Sequence, residues 1–247
     1  MSASLKLFCL PPAGASASMY VRWRRLLPDW IDVVPVELPG RGSRFGEPFV
    51  EDFDTLVRQL GQEVFSGLRD EYALFGHSMG ALLAYGLALY QRERGGALPT
   101  VFLASGSPAP SSRDPERFAG KGDDEALIAD LRKQGGTPEE IFEHPEMLRM
   151  TLDVLGADYR VCESFDYRAP PPLPVPLHVF AGRDDDIEPE RIKAWRQETD
   201  GEFSIEWFEG GHFFVRHNEA AVLRAIWGRL QEQQSNGRRR HASNSFA

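Results

Sequence analysis

Six short runs of aliphatic, aromatic or β-branched residues punctuate the chain, at 5–10, 31–38, 72–75, 100–104, 177–181 and 203–208. Most stop at Gly, Pro or Ser, and their length predicts buried strands. Between them, apolar residues recur every three or four positions over 21–27, 53–68, 79–92, 189–199 and 220–231, which predicts helices. Strand and helix alternate. That order predicts an α/β fold with a mostly parallel central sheet, helices on both faces and right-handed crossovers. Ligands of such sheets sit beyond the C-terminal ends of the strands.

Residues 105–176 break the alternation, with polar, proline-containing flanks, a helix-like middle and no convincing strand. The pattern predicts an insertion, at about 106–172, within one domain spanning 1–234. Thr137-Pro138-Glu139-Glu140 reads as a helix start, with Thr137 as N-cap and Pro138 in the first helical position. Farther on, Leu148, Leu152, Leu155, Tyr159, Cys162 and Phe165 return at helical spacing and line one side of a helix. Such a stripe packs on the core. It equally suits a lid whose apolar face walls a ligand chamber. Residues 235–247 carry three consecutive arginines and no periodicity, so a disordered tail is expected there.

With 42% apolar residues in 247, the chain can bury a substantial core, and global disorder is excluded. The formal net charge is −9, and the arginines of the tail hide a still more acidic body. Nucleic acid is therefore a poor partner, because phosphate neutralisation requires clustered Lys and Arg. Two cysteines, Cys9 and Cys162, provide neither a disulfide framework nor a metal pattern, which suits a reducing compartment. The apolar run near the N-terminus is too short for a secretory signal, and the longest apolar segment, 81–90, is about half a bilayer crossing. A cytoplasmic chain is expected, without membrane contact. It is expected to be monomeric, since no coiled-coil heptads occur.

Gly76-His77-Ser78-Met79-Gly80 joins a predicted strand to a predicted helix. This is the Gly-x-Ser-x-Gly elbow in the context it requires, a Ser raised on a sharp turn whose neighbours must lack a Cβ. A serine hydroxyl is a poor nucleophile alone, so a base must take its proton and a third group must orient that base. In this arrangement the order along the chain is Ser, acid, His. The acid candidates, Asp184, Asp185 and Asp186, follow the 177–181 strand, and His212, between glycines and phenylalanines, follows the 203–208 strand. His77 reads as structural or substrate-flanking. His217 has no partner at a recognisable metal-ligand spacing. Acyl chemistry also needs amide donors for a developing oxyanion, and the positions for these are Met79 N–H, after the nucleophile, and Ala13 N–H in the small-residue loop Pro11-Pro12-Ala13-Gly14-Ala15-Ser16.

Five stretches together resemble the stand-alone type II thioesterases of polyketide and nonribosomal peptide synthesis: LPPAGASAS, VELPGRGSRFGEP, GHSMGA, GRDDD and GGHFFV. The insertion is similar to the family's lid, and the likeness runs from about residue 5 to 230. The resemblance implies an α/β-hydrolase fold and a substrate carried as an acyl or aminoacyl thioester on the phosphopantetheine arm of a carrier protein. It implies Ser78 as nucleophile, His212 as base, Asp185 as the orienting acid, and Ala13 and Met79 as oxyanion donors. Asp185 stands third after Gly182, as in the family's Gly-x-x-Asp loop. Where the family often places Pro after the acid, however, Asp186 stands, so Asp184 and Asp186 remain rivals. No metal or cofactor is implied.

Other readings of the same residues are a medium-chain acyl carrier hydrolase, a carboxylesterase, an acyl transferase and a non-catalytic binding protein on the hydrolase fold. Arg22, Arg24, Arg25, Arg41 and Arg44 fall near the entrance loop and are candidates for meeting an acidic carrier or its phosphate.

Overall fold

The computed structural model describes residues 4–244. Its strands are β1 (Leu5–Leu10), β2 (Ile31–Pro35), β3 (Tyr72–His77), β4 (Phe102–Ser105), β5 (Leu177–Gly182) and β6 (Phe203–Phe208). All five pairings are parallel, in the order β2-β1-β3-β4-β5-β6. The helices are α1 (Phe53–Val64), α2 (Met79–Glu93), α3 (Asp124–Gln134), α4 (Glu139–Glu143), α5 (Pro145–Glu163), α6 (Pro189–Lys193), α7 (Phe214–His217) and α8 (Glu219–Asn244).

Successive strand residues point to opposite faces, and each face has a core of its own. On β1, Phe8 and Leu10 join a core built with α1 and α2, whereas Leu5, Leu7 and Cys9 join one built with Tyr20, Trp23 and the α8 residues Val222, Leu223 and Ile226. Burial on both sides explains why the strands read as continuous apolar runs. The six predicted strands are present, with β2 ending at Pro35, which lacks an amide to extend the ladder.

Several element boundaries differ from the sequence pattern for local reasons. The 21–27 helix is a 3-10 segment at Ala17–Arg25, where Ser16 caps the start and Tyr20 and Trp23, three apart, face the core together. The helix expected over 189–199 divides into α6 and a 3-10 turn, Ala194–Glu198. Thr137 does not cap a helix: Pro138 takes the N-cap position of α4 without a side-chain bond, and it is Pro145 that opens a long helix, α5. Helix α8 continues to Asn244 through the segment from 235 expected to be disordered; the three arginines and Ala242 there favour helix, whereas Gly237 and the Ser and Asn residues do not. Residues 245–247 of that segment lie outside the described residues.

The insertion between β4 and β5 carries α3, α4 and α5. Leu152, Leu155 and Tyr159 of the predicted stripe pack with Leu127 of α3 in a small separate cluster, and Cys162 reaches the main core. Leu148 and Phe165 are half-buried. No helix among the described residues is long and apolar enough to cross a membrane.

Trp195 ties the sheet to the loop after β4. Its ring is fully buried against Tyr85 and Phe102, and its Nε1–H donates to the Ser107 carbonyl at 2.8 Å. Trp195→Ala is expected to lower the unfolding free energy by about 3–5 kcal/mol in urea titrations. Trp195→Phe, which keeps an aromatic ring but loses the hydrogen bond, should cost distinctly less.

Candidate active site

Ser78 occupies the turn between β3 and α2 with φ 55° and ψ −120°, a conformation that side chains rarely adopt. Its surroundings enforce it. A Cβ on Gly76 would lie 2.1 Å from the Gly80 carbonyl oxygen, and one on Gly80 would lie 2.2 Å from that of Leu10. Both glycines of the motif are therefore there for close backbone contact, and the Ser78 amide is fixed by donating to the Ser105 carbonyl at 2.7 Å.

The ends of β5 and β6 are fastened in the same manner. Gly182 comes so near the loop after β6 that a Cβ would meet the carbonyl oxygens of Gly210 and Gly211 at 2.6 and 2.7 Å. The amides of Arg183 and Asp184 donate to Phe208 and Gly210. Across this seam the His212 Nδ1–H donates to Asp185 Oδ2 at 2.9 Å, and the Ser78 hydroxyl donates to His212 Nε2 at 3.0 Å. Three side chains from three loops thus form one hydrogen-bonded chain.

Geometry separates the three aspartates. The Asp185 side chain is 4% exposed, and its second oxygen is buried without a partner among the described residues. Asp186 is 54% exposed and pairs with Lys133 at 2.6 Å, which holds its carboxyl below the usual range. Asp184 is exposed and takes part through its backbone amide. His77 is fully buried, hydrogen-bonded to Ser105 Oγ at 2.9 Å, and its ring centroid lies 5.2 Å from that of His212. Burial, reinforced by His212, pushes its pKa well below the ordinary value, so it is a neutral packing group beneath the site. His217 is exposed at the end of α7.

Ser78, Met79, Ala13 and His212 line a cavity of about 440 Å³, together with Phe118, Tyr159 and Cys162. A thioesterase-domain family model matches residues 5–230. The chain belongs to the thioesterase family. One curated relative, linear gramicidin dehydrogenase LgrE of Brevibacillus parabrevis, is 37% identical over 93% of this chain and 89% of its own. Among solved structures, the RedJ thioesterase of the prodiginine pathway in Streptomyces coelicolor superposes with a TM-score of 0.83 at 36% identity, covering 92% of this chain and 91% of that one. The type II thioesterase BorB from the borrelidin cluster gives 0.81 at 39% identity, covering 92% of each chain. The architecture is thus that of the α/β-hydrolase thioesterases.

The cation candidates of this thioesterase separate sharply. Arg22, 70% exposed, pairs with Glu219; Arg25 is exposed; Arg24 donates to the Val33 carbonyl. Arg44 is held between Glu47 and Glu63. Arg41 is not a surface group at all. It is 6% exposed and forks onto Asp158 of α5 at 2.5 and 2.6 Å. The same carboxylate accepts the Gly14 amide at 2.8 Å, so it joins the roof helix to the loop that carries Ala13. Sequence reading missed Asp158. The signal is its spacing, since it lies three residues after Leu155 and four before Cys162, on the apolar stripe itself.

A buried pair of this kind is costly to halve. Asp158→Ala should destabilise the fold by about 3–5 kcal/mol, because it strands the Arg41 guanidinium. Combining Arg41→Met with Asp158→Leu should recover much of that loss, as read by urea unfolding of the single and double variants.

Proposed function

We propose that the chain hydrolyses acyl or aminoacyl thioesters borne on the phosphopantetheine arm of a carrier protein, clearing unwanted acyl groups from a polyketide or nonribosomal peptide synthase. The observation that carries this reading is the Ser78–His212–Asp185 hydrogen-bonded chain at the mouth of a cavity, in a member of the thioesterase family. The pathways printed for RedJ and BorB support the substrate class. The dehydrogenase in the name of LgrE is not carried over, since a serine activated by an imidazole serves acyl transfer rather than hydride transfer.

In the proposed reaction, Ser78 Oγ attacks the thioester carbonyl while His212 Nε2 takes the hydroxyl proton. The tetrahedral oxyanion receives hydrogen bonds from the amides of Ala13 and Met79, then collapses as the C–S bond breaks. The departing sulfur receives the proton from His212. A water, deprotonated by His212 in turn, attacks the acyl-serine ester, releasing the carboxylic acid and returning the proton to Ser78. Asp185 stays ionised throughout, holding the imidazole tautomer and stabilising its protonated form.

Thiol release from acyl-loaded carrier protein is the direct measurement. Ser78→Ala should reduce it to background, and undiminished release would remove Ser78 from the mechanism. Asn at 185 should lower kcat by a factor on the order of 10⁴, with far smaller effects at 184 and 186; equal losses at all three would mean that the loop, not one carboxylate, matters. Matched oxygen esters and thioesters distinguish this reading from a carboxylesterase.

A further inference from the structure

A chamber meant for alkyl chains is walled by apolar side chains. The lining of this one that comes from the insertion carries three half-buried cations, Arg113, Arg117 and Lys121, beside the exposed Lys133, Asp114 and Glu116. Arg117 and Lys121 share a single carboxylate, Asp130, each at 3.0 Å, and that carboxylate also accepts the Tyr159 hydroxyl at 2.6 Å. Arg113 has no carboxylate within ion-pair distance among the described residues. Its guanidinium stands over the rings of Phe118 and Phe165, 5.6 and 5.7 Å from their centroids, and one edge makes a long 3.4 Å bond to the Cys162 carbonyl. Two rings fix the plane of the fork and leave donors to spare.

The other charges of the lining pair with one another instead. Lys133 pairs with Asp186 at 2.6 Å, and Arg191 with Glu188 at 3.2 Å and Asp114 at 3.8 Å; Glu116 is exposed and screened by solvent. Of the three half-buried cations, Arg117 and Lys121 thus share the single carboxylate of Asp130, and Arg113 is the one without an ion-pair partner among the described residues.

We propose that this chamber takes acyl groups ending in a carboxylate, with Arg113 receiving that carboxylate and Arg117 and Lys121 adding to the field. The substrate class is then monothioesters of dicarboxylic acids. The inference rests on the thioester hydrolysis proposed above. An anionic group also exists at the other end of the substrate, the phosphate of the pantetheine arm. The arm must leave toward solvent, past charges that are paired, whereas Arg113 sits against Phe118, Phe165 and Cys162 at the wall closed by α5.

The test compares adipoyl-, methyl adipoyl- and hexanoyl-pantetheine, which differ in the terminal charge at closely matched length, by thiol release from the full chain. The expected result is a kcat/KM for adipoyl at least about tenfold above either neutral analogue, carried mainly by KM. Arg113→Leu should bring that ratio close to one, and Arg113→Lys should retain part of it. Should Arg113→Leu fail to fold, Lys121→Met provides the reduced ratio. Equal rates for charged and neutral acyl groups, or a ratio untouched by these substitutions, would overturn the proposal. The same series on phosphopantetheine separates the two anions: a gain from phosphate that is equal for all three acyl groups and lost in Arg113→Leu assigns the cations to the arm and overturns it. If no thioester is turned over above Ser78→Ala, the hydrolytic reading falls. The subsite is then read by calorimetry with amide analogues, where tighter binding of adipoyl than hexanoyl amide supports it and equal binding removes it.

Discussion

Close backbone approach around Ser78 is the constraint from which the site follows. A strand can hand its chain to a helix within one residue only where the crossing segments touch without side chains between them, and here Gly76 and Gly80 supply that contact. The serine is left in a backbone conformation that costs roughly 1–3 kcal/mol, offset by the packing of β3 and α2 on either side. The seam between Gly182 and the Gly210–Gly211 carbonyls repeats the device one strand pair farther on. Rigid backbone on both sides then lets short side chains meet with hydrogen-bonding precision.

What could be read from the sequence follows the same division. Strands buried on both faces announce themselves as apolar runs, so β1 to β6 were legible, as was the elbow with its flanking glycines. His212 was legible from its glycines and its position after β6. Asp185 was singled out from its neighbours by likeness to a family pattern, whereas the physical distinction, one buried carboxylate between two exposed ones, exists only in three dimensions. The insertion was the least legible region. Its helices α3 and α4 are short, its separate core is small, and the helix start read at Thr137-Pro138 lies one residue early, since Pro138 rather than Thr137 is the N-cap of the five-residue α4. Arg41 illustrates the limit of charge patterning: an arginine in a polar loop reads as a surface group until its carboxylate, 117 positions along the chain, is found.

The two halves of the site differ in origin. Ser78, His212 and Asp185 stand on loops that leave the sheet, and the sheet's fold is shared with other thioesterase structures. The cavity wall comes from the insertion, where Phe118, Tyr159 and the basic side chains gather around Asp130. On the proposed function, reactivity and selectivity can thus change separately, the first set at strand termini and the second by the insertion.

Asp158 qualifies that separation. Because one buried carboxylate holds both the Gly14 amide and the Arg41 fork, swinging α5 outward would leave a guanidinium and an amide stranded in apolar surroundings. The helices of the roof are unequally buried. Helix α4 buries none of its residues, and α3 buries two, Leu127 and Asp130. The ceiling over the chamber is thus held at α5 by a charge pair whose two members lie in different pieces of chain, a loop and a helix, so that its position is set by electrostatics as much as by packing.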